Sequence, residues 1–247
     1  MNPGSYFRKE LLQARKDWLG LLMTVVAPFP VLWIFGELRL PTAAAAPPGF
    51  PTMDPPVFAV LLTIWLAAST AAATSIIKER AGGMLQRLSL TPFSGTFMVA
   101  AKAVLFVPVA CLQAVVTLVS CHAFLGDAFA GRPWQIAIAF AALSLTAYGL
   151  GILFSAACGS ITQVASATTI ASMASIIWCG FFRPTSALGT FRSLAELLPL
   201  TVSYDAVRTA SHSFGYAKLA ILAGVLLVEL ALAAMAVRLR SKQVSHS

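Results

Sequence analysis

VFAVLLTIWLAASTAAATSII, Val57 to Ile77, runs 21 residues without a charge. About 20 mostly apolar residues suffice for a helix to cross the hydrocarbon core of a bilayer. The stretch therefore reads as a membrane span. Five further windows qualify on the same ground, at 18–36, 103–125, 134–158, 164–182 and 217–237. The whole chain agrees with this reading: of 247 residues 58% are hydrophobic and 11% charged, with a mean hydropathy of +0.82, whereas soluble domains are about a quarter charged. Six spans leave little room for a soluble domain. The expectation is a single all-α, polytopic membrane domain over 1–247, because in lipid every backbone N–H and C=O must be satisfied internally and the alternating pattern of a barrel is missing.

Charge decides orientation. With six spans, segments 1–17, 78–102, 159–163 and 238–247 share one side and carry eleven Lys and Arg, against six on the other side. Cations stay in the cytoplasm, which puts both termini inside a cell inner or plasma membrane. The net charge of +8 belongs to this topology signal and not to nucleic-acid binding, since the basic residues sit at span ends without interleaved aromatics. The first 46 residues also resemble a signal peptide ending at Thr42–Pro47, TAAAAP. Their apolar run is long for one and holds Pro28 and Pro30, so it is read as a retained span.

Phe7, Leu11, Ala14 and Trp18 repeat at helical spacing before that span, with Arg8, Lys9, Arg15 and Lys16 largely elsewhere on the wheel. This reads either as an interfacial helix whose cations gain about 1 kcal/mol each from anionic lipid, or as the basic flank of span one, which explains the charge but not the apolar spacing. Small residues stack at four-residue intervals at Ala67, Ala71 and Ser75, and again at Ala167, Ala171 and Ser175, which suits close helix packing within the chain. The 34-residue connection Arg183–Tyr216 has apolar residues at helical spacing, Leu194, Leu197, Leu198, Val202 and Ala206. Short helices are expected there on the outer side.

Chemistry of its own is not visible in the chain. GxxxxGK[ST], HExxH and GxSxG do not occur, and His122, His212 and His246 are scattered away from carboxylates. Cys111, Cys121, Cys158 and Cys179 all lie inside apolar windows without metal-ligand spacing. No metal site is expected. One acid stands midway along the sixth window, Glu229 in LLVELALAA. It reads either as a proton-coupling or cation-binding group in a path, or as a neutral carboxyl hydrogen-bonded to a neighbouring helix, with Gln113 as the candidate partner; the second reading is favoured because proton-driven carriers usually need several such groups.

The polar stretch that follows the opening span, KERAGGMLQRLSLTPFSG, resembles the loop between the second and third spans of ABC type-2 exporter permeases, with its pattern ERExGTLERLxxTP. Glu79 and Arg80 match the opening pair, Gly83 the glycine, Leu85 the leucine, Arg87 and Leu88 the Arg-Leu, Thr91 and Pro92 the close. LLPLTVSYDAVR, Leu197 to Arg208, is similar to that family's NPLTYxxDxxR segment before the last span, through Pro199, Leu200, Thr201, Tyr204, Asp205 and Arg208. Ala81, Gln86 and Leu198 depart from these patterns, two of them removing carboxylates from the loop. This is consistent with one half of a pair of unlike permeases.

Physically, Met84, Leu85 and Leu88 share one face of a helical turn with Arg87 directed away, Gly82 and Gly83 permit a sharp redirection, and Pro92 stops the turn. An apolar-faced helix of this kind fits a groove on a partner or lies on the lipid surface, and the first reading is favoured. The resemblance implies that the partner is a cytoplasmic ABC ATPase subunit, which carries ATP and magnesium while this chain carries no cofactor. It further implies a second copy or a related permease beside this one, and outward movement of an amphipathic drug or antibiotic, a lipid or a glycan.

Overall fold

The computed structural model describes residues 17–38, 54–81, 95–125, 132–179, 192–209 and 216–244, with Arg8, Leu12, Arg15 and Gly189 singly; for 35–38, 80, 81, 95–98, 161, 208, 209 and 238–244 the description is of the backbone. The helices among them are α1 Trp18–Val26, α2 Pro28–Leu38, α3 Pro55–Ala81, α4 Gly95–Leu125, α5 Pro133–Ala157, α6 Ile161–Trp178, α7 Arg192–Leu197, α8 Pro199–Thr209 and α9 Tyr216–Val244. The architecture of the described residues is all-α, as the sequence implied. Four helices are long and apolar enough to cross a membrane, through Pro55–Glu79, Val99–Leu125, Pro133–Ala157 and Tyr216–Val237.

The windows expected as spans one and five take another form. The first is divided at Ala27 into helices of 9 and 11 residues, because Pro28 has no N–H to give to the carbonyl of Thr24 and its ring crowds that turn. The fifth forms α6, 18 residues long, but Thr162, Gln163, Ser166, Thr168, Thr169, Ser172 and Ser175 dilute its hydropathy. Several of these hydroxyls donate back to their own helix, Thr168 to Val164, Thr169 to Ala165, Ser172 to Thr168 and Ser175 to Ala171, which satisfies them without a partner chain. Phe7, Leu11 and Ala14 of the expected interfacial helix lie outside the described residues.

α5 is the hub, touching α3, α4, α6, α8 and α9. Its Ile136, Ala139, Phe140, Leu143, Ala147, Tyr148 and Ile152 are all almost fully buried, and Tyr148 stacks on Phe106 of α4 with ring centroids 4.3 Å apart. Small residues set the closest approaches. A Cβ at Gly151 would collide with the Ser69 carbonyl and the Ala72 side chain, so α3 and α5 meet through Ser69 and Ala72, beside the expected Ala67–Ala71–Ser75 stripe and not on it. Between α5 and α6 the chain turns through Cys158–Ser160. Ser160 accepts from the Gln163 N–H at 3.2 Å while Gln163 accepts from the Gly159 N–H at 2.8 Å, a reciprocal cap that starts α6 directly after α5 ends.

α9 is peripheral. Only 17% of its apolar window is buried, against 61% for α5, and the buried positions Leu222, Glu229, Ala233 and Val237 form the one narrow stripe that faces the bundle. The short helices expected between α6 and α9 are present as α7 and α8.

Candidate functional site

Segment 82–94 joins the C-terminal end of α3 to the N-terminal end of α4, and the chain at its root is held by charge. Glu79 on α3 and Lys102 on α4 form an ion pair of 2.5 Å with both side chains almost completely buried. The same ammonium donates to the Ser75 hydroxyl at 3.0 Å. Ser75 and Glu79 are four residues apart, so they stand one above the other on a single face of α3. A charge buried in apolar surroundings is tolerable only when paired and hydrogen-bonded, and here each partner supplies that condition for the other. The two helices flanking 82–94 are thereby tied close to the segment, about one turn from it on α3 and about two turns from it on α4.

Alongside, Lys78 and Asp17 approach to 3.6 Å with both side chains about half exposed. Solvent leaves such a pair worth at most about 1 kcal/mol, but it places the start of α1 at the same end of the bundle.

Of the loop residues named from the sequence, Glu79 is directed to α4 and Arg80 lies in the last turn of α3. Gly83, Met84, Leu85, Arg87, Leu88, Thr91 and Pro92 lie outside the described residues. Lys102 was read only as one of the flanking cations. Its position within the otherwise apolar VAAKAVLFVPVA was the available signal that a buried acid must face it.

The second motif builds a clasp at the opposite end. Pro199 opens α8, where a missing N–H costs nothing, and Leu200 is buried. Thr201 Oγ1 donates to the Cys179 carbonyl at the end of α6, 3.4 Å away. Tyr204 Oη accepts from the Asp54 N–H at 2.9 Å, satisfying a donor at the start of α3, where helix N–H groups have no partner in their own helix. Asp205 meets Lys218 in the first turn of α9 at 3.5 Å. Three elements are thus joined through one short helix; of Arg208 the backbone alone is described. Leu198 offers no side-chain acceptor to the start of α8, and the turn is closed by the backbone bond from Val202 N to Leu198 O, 3.0 Å. On the preceding α7, exposed Arg192 and Glu196 pair at 2.6 Å, a hydrogen bond that raises the guanidinium above its ordinary value.

Glu229 is buried as expected, but not against Gln113. The Gln113 amide donates to the Thr24 carbonyl at 3.0 Å and accepts from the Ser144 hydroxyl at 3.0 Å. The reason lies in the break between α1 and α2, since the Thr24 carbonyl is the acceptor that Pro28 abandons four residues later and Gln113 supplies the lost donor. Glu229 instead packs on α5, where Oε2 would stand 2.5 Å from a Cβ placed at Gly149. That oxygen has no hydrogen-bond partner among the described residues. A small apolar cavity of about 150 Å³ is lined by Gly149 and Leu226 together with Val104, Val107 and Tyr148.

Among the described residues no three His, Cys, Asp or Glu side chains gather as a metal site. No curated protein matches the chain. A family model described as ABC-2 type transporter matches residues 4–211, a range that takes in α1 to α8, segment 82–94 and the Leu197–Arg208 motif and stops before α9. With apolar crossing helices around that segment, and the match extending over most of its length, the chain is a transporter permease and belongs to the ABC-2 type transporter family.

Proposed function

We propose that this permease is the membrane half of an ATP-driven exporter. Segment 82–94 docks as a coupling helix on a cytoplasmic ABC ATPase subunit, with Met84, Leu85 and Leu88 as apolar anchors and Arg87 setting register. ATP and magnesium act on that subunit, and two permeases, identical or related, form the path. The chain crosses the membrane six times with both termini inside, α1–α2 being a broken crossing and α6 a short polar one. An amphipathic drug or antibiotic is the preferred cargo, with lipids and glycans as the alternatives.

The observation that carries this reading is the buried Glu79–Lys102 pair at the root of the segment. A helix pulled by an ATPase transmits nothing if its two flanking spans slide independently. With α3 and α4 tied, a displacement at 82–94 is delivered to both, and the nucleotide-dependent difference in contact energy shifts the spans between two arrangements.

Reconstitution tests the proposal. The permease and the ATPase together should move an amphipathic dye across proteoliposomes only with ATP, and Leu85→Asp with Leu88→Asp should release the ATPase while the permease stays folded. The rival reading, a proton-driven carrier using Glu229, draws on that carboxylate's buried oxygen without a hydrogen-bond partner among the described residues. Transport by the permease alone under an imposed proton gradient, lost in Glu229→Gln, would favour it and sink the exporter.

A further inference from the structure

A cavity of about 400 Å³ opens between α1, α3 and α4 at the end of the bundle that carries segment 82–94. Its size is that of small-ligand sites, which span about 300–1,000 Å³, and its two ends differ in chemistry. Lys78, Lys102 and Asp17 stand at one end; Leu105, Phe106 and Val109 of α4 line its length toward the middle of the bundle. Going from Lys102 to Val109 along α4 covers about 10 Å of helical rise. The cavity is shaped for an amphipath.

The hydroxyls narrow the headgroup. Thr70 and Thr74 on α3 and Thr24 on α1 line the cavity, and each donates its proton to a carbonyl of its own helix, at 2.7, 2.8 and 2.9 Å. What they offer a ligand is therefore lone pairs and not O–H groups. One exposed cationic donor, Lys78, and the Glu79-paired Lys102 thus lie beside a carboxylate and a row of neutral acceptors. A headgroup that is only anionic would set its charge against Asp17 and Glu79, and one that is only cationic would meet two lysines. A headgroup with a phosphate and an N–H-bearing ammonium satisfies both sets.

Depth points the same way. The apolar crossing of α3 runs Pro55–Glu79, so its last turn, with Lys78 and Glu79, falls where hydrocarbon gives way to headgroups. We propose that this cavity binds an aminophospholipid of the adjoining leaflet. The phosphate meets Lys78, the exposed lysine of the cavity, the ammonium meets Asp17 and the Thr74 oxygen, and the first part of an acyl chain lies along Leu105, Phe106 and Val109. The site requires the chain to sit in a bilayer and does not depend on the exporter reading.

One wall residue gives a clean test. Gly20 lines the cavity, and a Cβ there meets nothing within 4 Å, so a side chain at this position starts into open space and Gly20→Phe is the variant chosen to fill it. The full chain, purified in detergent, is mixed with equal amounts of phosphatidylethanolamine, phosphatidylcholine and phosphatidylglycerol of identical acyl chains, and retained lipid is counted by native mass spectrometry.

Phosphatidylethanolamine should be retained about tenfold or more over the trimethylated lipid, which has no N–H to donate, the ratio expected for a hydrogen bond to charged groups. Gly20→Phe should abolish this retention with helical circular dichroism unchanged. Asp17→Asn should bring the two lipids to parity, and Lys78→Gln should lower retention of both. Equal retention of all three lipids would mean only boundary lipid, or a segment of the chain itself in the cavity, and would overturn the proposal. So would tighter phosphatidylglycerol binding, displacement of the lipid by millimolar inorganic phosphate, or indifference to Gly20→Phe.

Discussion

Glu79, at the end of α3, meets an ammonium and through it a hydroxyl; Glu229, in the middle of α9, stands over the bare backbone of Gly149, a position it shares with Leu226 of the same helix. Both carboxylates are more than nine-tenths buried. Glu79 is placed by charge, and its partner comes from the helix on the other side of a 13-residue segment, 82–94. Glu229 is placed by space, in a gap that exists because residue 149 has no side chain. The family match covers the first acid and stops before the second. An acid held by a counter-charge fixes two helices at one point, whereas an acid held by a glycine fixes only how closely they approach.

Removing the counter-charge gives the largest expected effect. Lys102→Met leaves the Glu79 carboxylate buried without its ammonium, and breaking a buried pair from one side costs about 3–5 kcal/mol. The unfolding midpoint in mixed micelles should fall accordingly, and Glu79→Leu in the same chain should return most of it, because two apolar side chains are often as stable as the pair they replace. A loss of less than about 1 kcal/mol in the single variant would show that the pair is not the tie described here, since exposed pairs cost that little.

Filling the glycine gap comes next. Gly149→Ala drives a methyl group toward Glu229 Oε2 and Leu226, and overpacking costs about 1–3 kcal/mol. Glu229→Ala should relieve the clash, so that the double variant is more stable than the sum of the two singles predicts. Strict additivity would detach Glu229 from Gly149 and remove the contrast between the two acids.

Gln113 sharpens the comparison, as a polar side chain in a span that serves neither acid. Gln113→Leu strands the Thr24 carbonyl and the Ser144 hydroxyl, and a buried group left unsatisfied costs about 1–3 kcal/mol. Combined with Glu229→Gln the losses should add within about 0.5 kcal/mol, as for sites without shared partners. A larger interaction energy would restore Gln113 as the partner of Glu229.

How far these features were legible in the sequence follows from their range. Apolar windows record which stretches can stand in hydrocarbon, whether or not they are buried in the bundle, so the long helices α3, α4, α5 and α9 could be read directly, and the short helices before α9 from apolar residues at helical spacing. The division at Ala27 was visible only as two prolines, since whether a Pro breaks a helix depends on who takes up its orphaned carbonyl, and Gln113 is 89 residues away from Thr24. Glu79 was found through a local motif, but its partner Lys102 was hidden by distance along the chain and counted as topology. Glu229 stood out because a carboxylate in LLVELALAA breaks its pattern, while Gly149, lacking a side chain, gave no pattern to read.

The smallest effects belong to the clasp at the opposite end, where no buried charge is at stake. Tyr204→Phe deletes the acceptor of the Asp54 N–H and should cost about 1 kcal/mol, the net worth of a single neutral hydrogen bond. Asp205→Asn should cost about 0.5 kcal/mol or less, because the pair with Lys218 is 3.5 Å long and the aspartate is half exposed. Salt separates the two: raising ionic strength should erase the Asp205→Asn difference by screening and leave the Tyr204→Phe difference intact. Because Tyr204 reaches the start of α3 while Glu79 lies at its end, Tyr204→Phe should add to Lys102→Met without coupling. Coupling above about 0.5 kcal/mol would mean that α3 transmits strain along its whole length, and that its two ends cannot be treated as separate attachments.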